Sequence, residues 1–151
     1  MMDIKLRKMV EADIPAVTAL EQASFAHPWP EREIRYEITE NPCSVIYIAE
    51  KDGEIVGYLD FMITFDSATI NRICVLPAHR KQGIAYALLE QMVKECKAQE
   101  EEVDWITLEV RKSNEAAIKL YGKNGYEYVT TKPHYYDDGE DAVYMMRSII
   151  S

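Results

Sequence analysis

A strand, a polar turn and a helix follow one another without interruption in residues 70–89 (INRICVLPAHRKQGIAYALL). β-Branched residues fill the first part and Pro77 bounds it, which is typical of a strand. Apolar residues then recur at helical spacing from Ile84, which predicts an amphipathic helix. Gly83 stands where the turn meets the helix. Because a helix start leaves backbone N–H groups unpaired and has partial positive charge, the stretch predicts a cradle for a phosphate.

The rest of the chain predicts an α/β fold with a mixed sheet. Further strands are expected at Asp3–Met9, Cys43–Glu50, Glu54–Thr64, Trp105–Val110, Tyr126–Thr131 and Ala142–Ile149. Helices are expected at Glu11–Phe25, Glu31–Glu40, Gly83–Gln99 and from Ser113 or Asn114 to Lys123. Turns at Asp52-Gly53 and Asp66-Ser67 predict an antiparallel meander. The helix that follows the meander predicts a parallel, right-handed connection to Trp105–Val110.

Composition narrows the functional class. A chain of 151 residues fits a single domain, 1–151. Its net charge of −9 argues against a nucleic-acid partner, which needs a basic face. The three cysteines (Cys43, Cys74, Cys96) have neither disulfide nor zinc spacing, and the three histidines are scattered, so no metal is expected. No apolar run is long enough to span a membrane, and a cytoplasmic location is expected.

The anion cradle alone is a weak motif, because a purely structural turn has the same pattern. It is neither a P-loop nor a dinucleotide fingerprint, since the required lysine and extra glycines are missing. A second block, residues 108–121 (LEVRKSNEAAIKLY) followed by Gly125-Tyr126, is more specific.

Together the two blocks resemble the GNAT acetyltransferase superfamily, whose pyrophosphate loop matches Arg80-x-x-Gly83-x-Ala85. The later block is similar to the family's second acetyl-CoA segment. Within the superfamily the chain looks most like the ribosomal-protein-alanine N-acetyltransferases of the RimI type. The resemblance implies a single-domain GNAT fold: a mixed, mostly antiparallel sheet splayed at the parallel pair that holds CoA, with helices on both faces. It also implies acetyl-CoA as co-substrate.

The resemblance assigns roles to individual residues. Glu109 corresponds to the general base and Tyr121 to the general acid, and Asn114 would bind the pantetheine arm. The strand residues that would face the pantetheine and thioester are Ile73, Cys74 and Val75. The residues that would hold the pyrophosphate are Arg80, Lys81, Gln82, Gly83, Ile84, Ala85 and Tyr86.

Elementary chemistry agrees with the two catalytic roles. Acetyl transfer needs a neutral amine, and a carboxylate can take the proton of a peptide α-ammonium, whose pKa is about 7.7–8.0. A free N–H near Val75 could stabilise the tetrahedral oxyanion, and a tyrosine could protonate the leaving thiolate. Structural alternatives remain: Glu109 as a solvated strand-end carboxylate, Tyr121 as a core side chain and Asn114 as a helix cap only.

The acceptor is the least specified part. Trp29, Tyr135 and Tyr136 either wall an acceptor groove or pack the loops. The acidic cluster of residues 137–141 either attracts a basic peptide or is a solvated turn. Cys74 either forms an acetyl-cysteine or is a buried small side chain, and direct attack in a ternary complex is the preferred mechanism.

The expected reaction is acetylation of the N-terminal alanine of a small-subunit ribosomal protein. The first alternative is another amine: a lysine side chain, a polyamine, an amino acid or an aminoglycoside. The second is a CoA-binding module without turnover.

Overall fold

The structure is a computed structural model that describes residues 3–150. Its strands are β1 (Ile4–Lys8), β2 (Ser44–Lys51), β3 (Glu54–Thr64), β4 (Ser67–Val75), β5 (Trp105–Arg111), β6 (Glu127–Lys132) and β7 (Ala142–Ser148). Its helices are α1 (Ile14–Ser24), α2 (Glu31–Thr39), α3 (Ile84–Lys97) and α4 (Glu115–Lys123), with 3₁₀ turns at Glu11–Asp13 and Pro77–His79. Every predicted strand and helix is confirmed in type. No helix within residues 3–150 is both long and apolar enough to span a membrane.

Within residues 3–150, seven strands form one sheet in the order β1-β2-β3-β4-β5-β7-β6. The β1–β2, β2–β3, β5–β7 and β6–β7 pairs are antiparallel and β4–β5 is parallel, which confirms a mixed, mostly antiparallel sheet. The parallel ladder joins Ser67–Thr69 to Trp105–Thr107. The paired segments are short compared with the strands themselves, since β4 has nine residues and β5 has seven. Such partial pairing is expected where two parallel strands splay apart.

The chain forms two compact units. Unit 1 comprises residues 3–62 and 71–92, and unit 2 comprises residues 63–70 and 93–150. Because β3, β4 and α3 each contribute residues to both units, the chain passes between them within regular elements. The single domain over residues 1–151 stays a prediction, and residues 1, 2 and 151 lie outside the described residues.

Unit 1 has an apolar core built from α1, α2 and the strands β2 to β4. Its buried members are Met9, Ile14, Val17, Leu20, Ile34, Ile46, Ile48, Tyr58 and Cys74. Asp52 and Gly53 have φ angles of 53° and 79°, as the predicted two-residue hairpin between β2 and β3 requires. The core therefore fixes the strands that lead into the predicted anion loop.

Unit 2 contains β5, whose side chains alternate strictly between buried and half-exposed. Ile106, Leu108 and Val110 are buried, so Glu109 points to the opposite, more polar face of the strand.

The turn before β4 lies at residues 65–66, one residue earlier than the predicted Asp66-Ser67, and Ser67 already belongs to the strand. Phe65 makes this turn with a φ of 55°.

Candidate active site

The predicted pyrophosphate loop lies in unit 1 between β4 and α3. Lys81 and Gly83 both have left-handed backbone angles, with φ of 63° and 82°. The first helical hydrogen bond runs from the Ala87 N–H to the Gly83 carbonyl at 3.0 Å. The N–H groups of residues 84–86 precede it, so the helix itself does not use them. The sequence predicted this helix start. It did not predict the left-handed backbone of Lys81, which the structure reveals.

Two side-chain contacts fix this loop. The Arg80 side chain donates from Nε to the Val75 carbonyl at 3.1 Å, so it ties the loop to the end of β4. Lys51 Nζ donates to Gln82 Oε1 at 3.1 Å, which ties the loop to the end of β2. The cationic side chains of Arg80 and Lys51 therefore stand at the loop beside that of Lys81, and the loop has the charge and free N–H groups that an anion binds.

β3 passes very close to the end of β4. A Cβ atom at Gly57 would lie 2.9 Å from the Cys74 carbonyl oxygen and 3.3 Å from Val75 Cγ2. Only glycine permits this approach. Leu76 N–H also donates to the Val56 carbonyl at 2.8 Å. The backbone of Ile73–Val75 is thus held closely by its neighbour, and sequence reasoning missed Gly57.

Cys74 is buried, and burial raises the pKa of its thiol to about 12. The thiol is therefore protonated at neutral pH, whereas a nucleophilic cysteine acts as the thiolate. This observation supports the interpretation of Cys74 as a buried small side chain, with direct attack on the thioester.

The predicted base, Glu109, lies in unit 2 on β5. Lys132 at the end of β6 donates from Nζ to Glu109 Oε1 at 3.0 Å. The same ammonium lies 4.5 Å from the ring centre of Tyr144 and 5.5 Å from that of Tyr135. The Glu109 side chain is 19% exposed and paired, which argues against the solvated strand-end carboxylate of the structural alternative, and its role as base stays a prediction.

The predicted acid, Tyr121, lies on α4 and is buried, with its ring edge-on to Tyr126 at 5.7 Å. Burial raises the pKa of Tyr121, and Tyr136 raises it further. The pKa of Tyr136 is itself raised, chiefly by burial and in part by the charge of Glu109. Tyr136 thus interacts with both predicted catalytic residues. No hydrogen bond to the Tyr121 hydroxyl is found among the described residues, and the role of Tyr121 as acid stays a prediction.

Asn114 caps α4, with its Oδ1 accepting a hydrogen bond from the Ala117 N–H at 3.1 Å. The predicted cap is confirmed. The side chain is exposed and its Nδ2 still offers two N–H donors, so the ligand role is compatible with the cap and stays a prediction.

Arg111 fastens the loop of residues 133–141 to the end of β5. Its guanidinium donates to Asp138 at 2.8 Å and to Glu140 at 2.9 Å, and it lies 4.1 Å from the ring centre of Tyr136. Glu140 also accepts from the Ser113 N–H at 2.9 Å, and these bonds lower the pKa of Glu140 to about 2. Two carboxylates of the predicted acidic cluster therefore bind their own chain, which favours the structural alternative over attraction of a basic peptide.

Two of the three predicted acceptor residues are neighbours in unit 2. The rings of Tyr135 and Tyr136 meet edge-on at 5.0 Å, with Tyr135 exposed and Tyr136 half-buried. Trp29 lies in unit 1, where its ring is 5.2 Å from the guanidinium of Arg72 and packs on the apolar core. The packing role of Trp29 is thus observed, and its acceptor role stays a prediction.

A buried ion pair that the sequence did not reveal holds the Trp29 connection. Glu21 is fully buried, and both its oxygens bind Arg72, the shortest contact being 2.8 Å. Glu21 also accepts from the Trp29 N–H at 2.8 Å and from the Tyr58 hydroxyl. Arg72 in turn lies 4.0 Å from the ring centre of Phe25. These contacts join α1, β3 and β4 to the connection between α1 and α2.

No group of three or more His, Cys, Asp or Glu side chains within residues 3–150 is arranged to hold a metal ion. The predicted absence of a metal stays a prediction.

Known proteins share both the pattern and the fold. Residues 14–126 match the model of a family described as the acetyltransferase (GNAT) family. A Bacillus subtilis (strain 168) protein, provisionally named ribosomal protein bS18-alanine N-acetyltransferase, is 37% identical over 145 residues, covering 95% of both chains.

Solved structures agree with that similarity. The crystal structure of the ribosomal-protein-S18-alanine N-acetyltransferase from Escherichia coli has a TM-score of 0.88 and 31% identity, covering 98% of this chain and 95% of that chain. Arabidopsis thaliana NAA60 in complex with acetyl-CoA has the same fold, with a TM-score of 0.84 and 19% identity, covering 97% of this chain and 98% of that chain.

Proposed function

The chain belongs to the GNAT acetyltransferase family, and on that premise we propose that it acetylates the N-terminal alanine of a small-subunit ribosomal protein. The observation that supports this acceptor is the similarity, along nearly the whole chain, to enzymes named for the alanine of ribosomal protein S18. We also propose that it works in the cytoplasm. Its cysteines Cys43, Cys74 and Cys96 are free thiols, which agrees with a reducing compartment.

Acetyl-CoA is the proposed co-substrate, and the loop of unit 1 suits its pyrophosphate. The N–H groups at the start of α3 and the side chains of Lys81, Arg80 and Lys51 offer hydrogen bonds and positive charge. Gln82 and Tyr86 are exposed at the same loop and helix start. The backbone of Ile73–Val75 is the proposed partner of the pantetheine and thioester, and Asn114 Nδ2 the proposed donor to the arm.

Glu109 is the proposed base. The acceptor arrives mainly as an ammonium, because a peptide α-amine has a pKa of about 7.7–8.0. Glu109 takes one proton, directly or through a water, and the neutral nitrogen attacks the thioester carbon. A backbone N–H near Val75 is the proposed donor to the oxyanion.

Tyr121 is the proposed acid. When the C–S bond breaks, the electron pair goes to sulfur, and the thiolate takes the phenolic proton. A raised pKa keeps Tyr121 protonated until that step. The attacking nitrogen is now positively charged and releases its second proton, through solvent, to the tyrosinate, and Glu109 returns its own proton to solvent. Because the amine attacks the thioester directly, no covalent acetyl-enzyme is formed and Cys74 is not needed.

The test is single-turnover acetylation of an Ala-starting bS18 peptide, followed by mass spectrometry. Glu109→Gln should lower the rate by roughly 10²–10⁴-fold, and Tyr121→Phe should also lower it. Glu102→Gln removes an exposed carboxylate of the same unit and is the matched control. A Glu109→Gln/Tyr121→Phe enzyme that keeps the full rate would exclude this mechanism.

A second arm identifies the acceptor. The same peptide with a blocked N-terminus and an internal lysine, a polyamine, an amino acid and an aminoglycoside are offered in parallel. We expect acetyl only on the free N-terminal alanine. If only another amine is acetylated, that amine is the acceptor. If no CoA is released with any of the amines, the protein is a CoA-binding module without turnover.

A further inference from the structure

One β-bulge determines which side chains share the face of Glu109. Across β5 and β7, Glu109 pairs with Tyr144. Across β7 and β6, Tyr144 pairs with Thr130, because the register shifts by one residue between Tyr128 and Thr130. The extra residue is Val129. Paired residues lie on one face of a sheet, and so do residues two apart on a strand. Tyr144, Thr130 and Lys132 therefore all lie on the face of Glu109.

Without the bulge, Lys132 would lie on the other face of the sheet, since a shift of one residue reverses every side chain beyond it. β-Bulges are frequent beside active sites, where they redirect a side chain. Here the redirected side chain is Lys132, which reaches diagonally over the Tyr144 ring to Glu109 Oε1.

The contact fixes Lys132 as a cation. Its hydrogen bond with Glu109 raises the pKa of Lys132, and the rings of Tyr144 and Tyr135 add cation–π attraction. Lys132 is therefore charged throughout the neutral range. Among the described residues, Lys132 is the one hydrogen-bond donor to Glu109, and it uses only Oε1.

We propose that Lys132 is a positioning residue for the proposed base: it holds Oε1 of Glu109 and leaves Oε2 to take the acceptor's proton. This inference depends on the proposed function. In the step, one N–H bond of the acceptor ammonium breaks and one O–H bond forms at Oε2. The positive charge of Lys132 is unchanged, and its contact to Oε1 weakens as Glu109 becomes neutral.

Loss of Lys132 should slow proton transfer rather than weaken binding. A carboxylate held at one oxygen presents the other oxygen in a fixed place, and misplacement of a catalytic group can cost up to about 10²-fold in rate. Binding of acetyl-CoA and of the peptide should change little, because in the proposed step Lys132 holds only Glu109.

The experiment measures the single-turnover rate at saturating acetyl-CoA and the bS18 peptide concentration that gives half the maximal rate. Lys132→Met should lower the maximal rate by about 10–100-fold and leave the half-saturating concentration unchanged. Lys132→Arg should restore most of the rate, because a guanidinium also binds one carboxylate oxygen. Lys97→Met, an exposed residue at the end of α3, is the matched control and should change neither value.

If Glu109→Gln slows turnover but Lys132→Met keeps the full maximal rate, the role of Lys132 is wrong and the proposed function stands. If Glu109→Gln itself retains the full rate, the proposed base is wrong. A thermal melt of each variant shows that the chain is folded, and a lower rate that Lys132→Arg does not restore would mean that Lys132 is merely structural.

Discussion

Gly57 is the residue at which a single added carbon should disturb the proposed cofactor strand. In Gly57→Ala the new Cβ would meet the Cys74 carbonyl oxygen at 2.9 Å, so one of two packed strands must shift. Overpacking of this kind costs about 1–3 kcal/mol. We expect the melting temperature to fall by about 2–4 °C per kcal/mol and acetyl-CoA to bind more weakly by calorimetry.

Gly122→Ala is the matched control for Gly57. Gly122 lies inside α4 with nothing within 4 Å of the added carbon, so alanine should stabilise the helix by about 0.5–1 kcal/mol. Equal effects of the two substitutions on melting would contradict the close approach of β3 and β4.

Among single residues, the sequence predicted those whose role depends on near neighbours. Asn114 was predictable as a cap because the N–H that it binds lies three residues further along the chain. Lys132 was not, since its partner is 23 residues away and the contact depends on the bulge in β6. Gly57 was missed for the same reason: its tight neighbour belongs to another strand.

At the scale of elements, the period of apolar residues predicted each helix and strand, and local chemistry decided the ends. Gln99 falls outside α3, which stops at Lys97, and β4 begins at Ser67 because the preceding turn is made by Phe65 and Asp66. The predicted first helix starts as a 3₁₀ turn, Glu11–Asp13, before α1. These ends depend on backbone hydrogen bonds that apolar spacing does not encode.

The connection between α1 and α2 should depend on the buried Glu21–Arg72 pair. Arg72→Met leaves the charge of Glu21 buried without its cation, and breaking such a pair costs about 3–5 kcal/mol. Urea unfolding measures the loss. Arg35→Met breaks the exposed pair of Arg35 with Glu31, also 2.8 Å long, and should cost about 0.5 kcal/mol or less.

A double-mutant cycle distinguishes loss of the pair from loss of packing by the Arg72 stem. Glu21→Gln/Arg72→Met no longer contains a buried charge, so it should lose less stability than the sum of the two single variants. A coupling of at least about 1 kcal/mol is expected. Strictly additive losses would mean that the charges of Glu21 and Arg72 do not stabilise each other.

At the scale of the whole molecule, the net charge of −9 argued against a nucleic-acid partner but did not indicate where the negative charge lies. The structure shows that several carboxylates form ion pairs with cationic side chains of the same chain. Asp13 pairs with Arg7, Glu140 with Arg111 and Glu21 with Arg72. Asp60 is different: it is buried beside another acid, Glu37, and such a pair affects how the whole fold responds to pH.

Asp60 is 1% exposed, and Ser44 Oγ lies 2.9 Å from its Oδ1 and 3.1 Å from Glu37 Oε1, so the one hydroxyl proton of Ser44 can be donated to either carboxyl group. Asn71 Nδ2 lies 3.4 Å from the same Asp60 oxygen, and Oδ2 has no partner among the described residues. Burial raises the pKa of Asp60 well above the ordinary carboxyl range, and the neighbouring carboxyl group of Glu37 raises it further. The folded chain therefore holds a proton that the unfolded chain releases near pH 4.

The sign of the effect on stability follows from proton linkage. Above about pH 4 the folded state binds more protons at this site than the unfolded state, so the free energy of unfolding falls as pH rises toward the raised pKa. The slope for one proton is at most about 1.4 kcal/mol per pH unit. Paired carboxylates with a lowered pKa, such as Asp13, act in the opposite direction and only at lower pH.

Asp60→Asn isolates this contribution, because the amide has no proton to lose in that range. Urea unfolding of both proteins from pH 5 to pH 8 should show the wild type losing stability relative to Asp60→Asn as the pH rises. Asp137→Asn, at an exposed position in the loop of residues 133–141, should stay parallel to the wild type. If the difference between wild type and Asp60→Asn stays constant over this range, Asp60 is ionised in the folded protein and the buried proton does not exist. That result would mean that Ser44 and Asn71 stabilise the charged form enough to offset its burial beside Glu37.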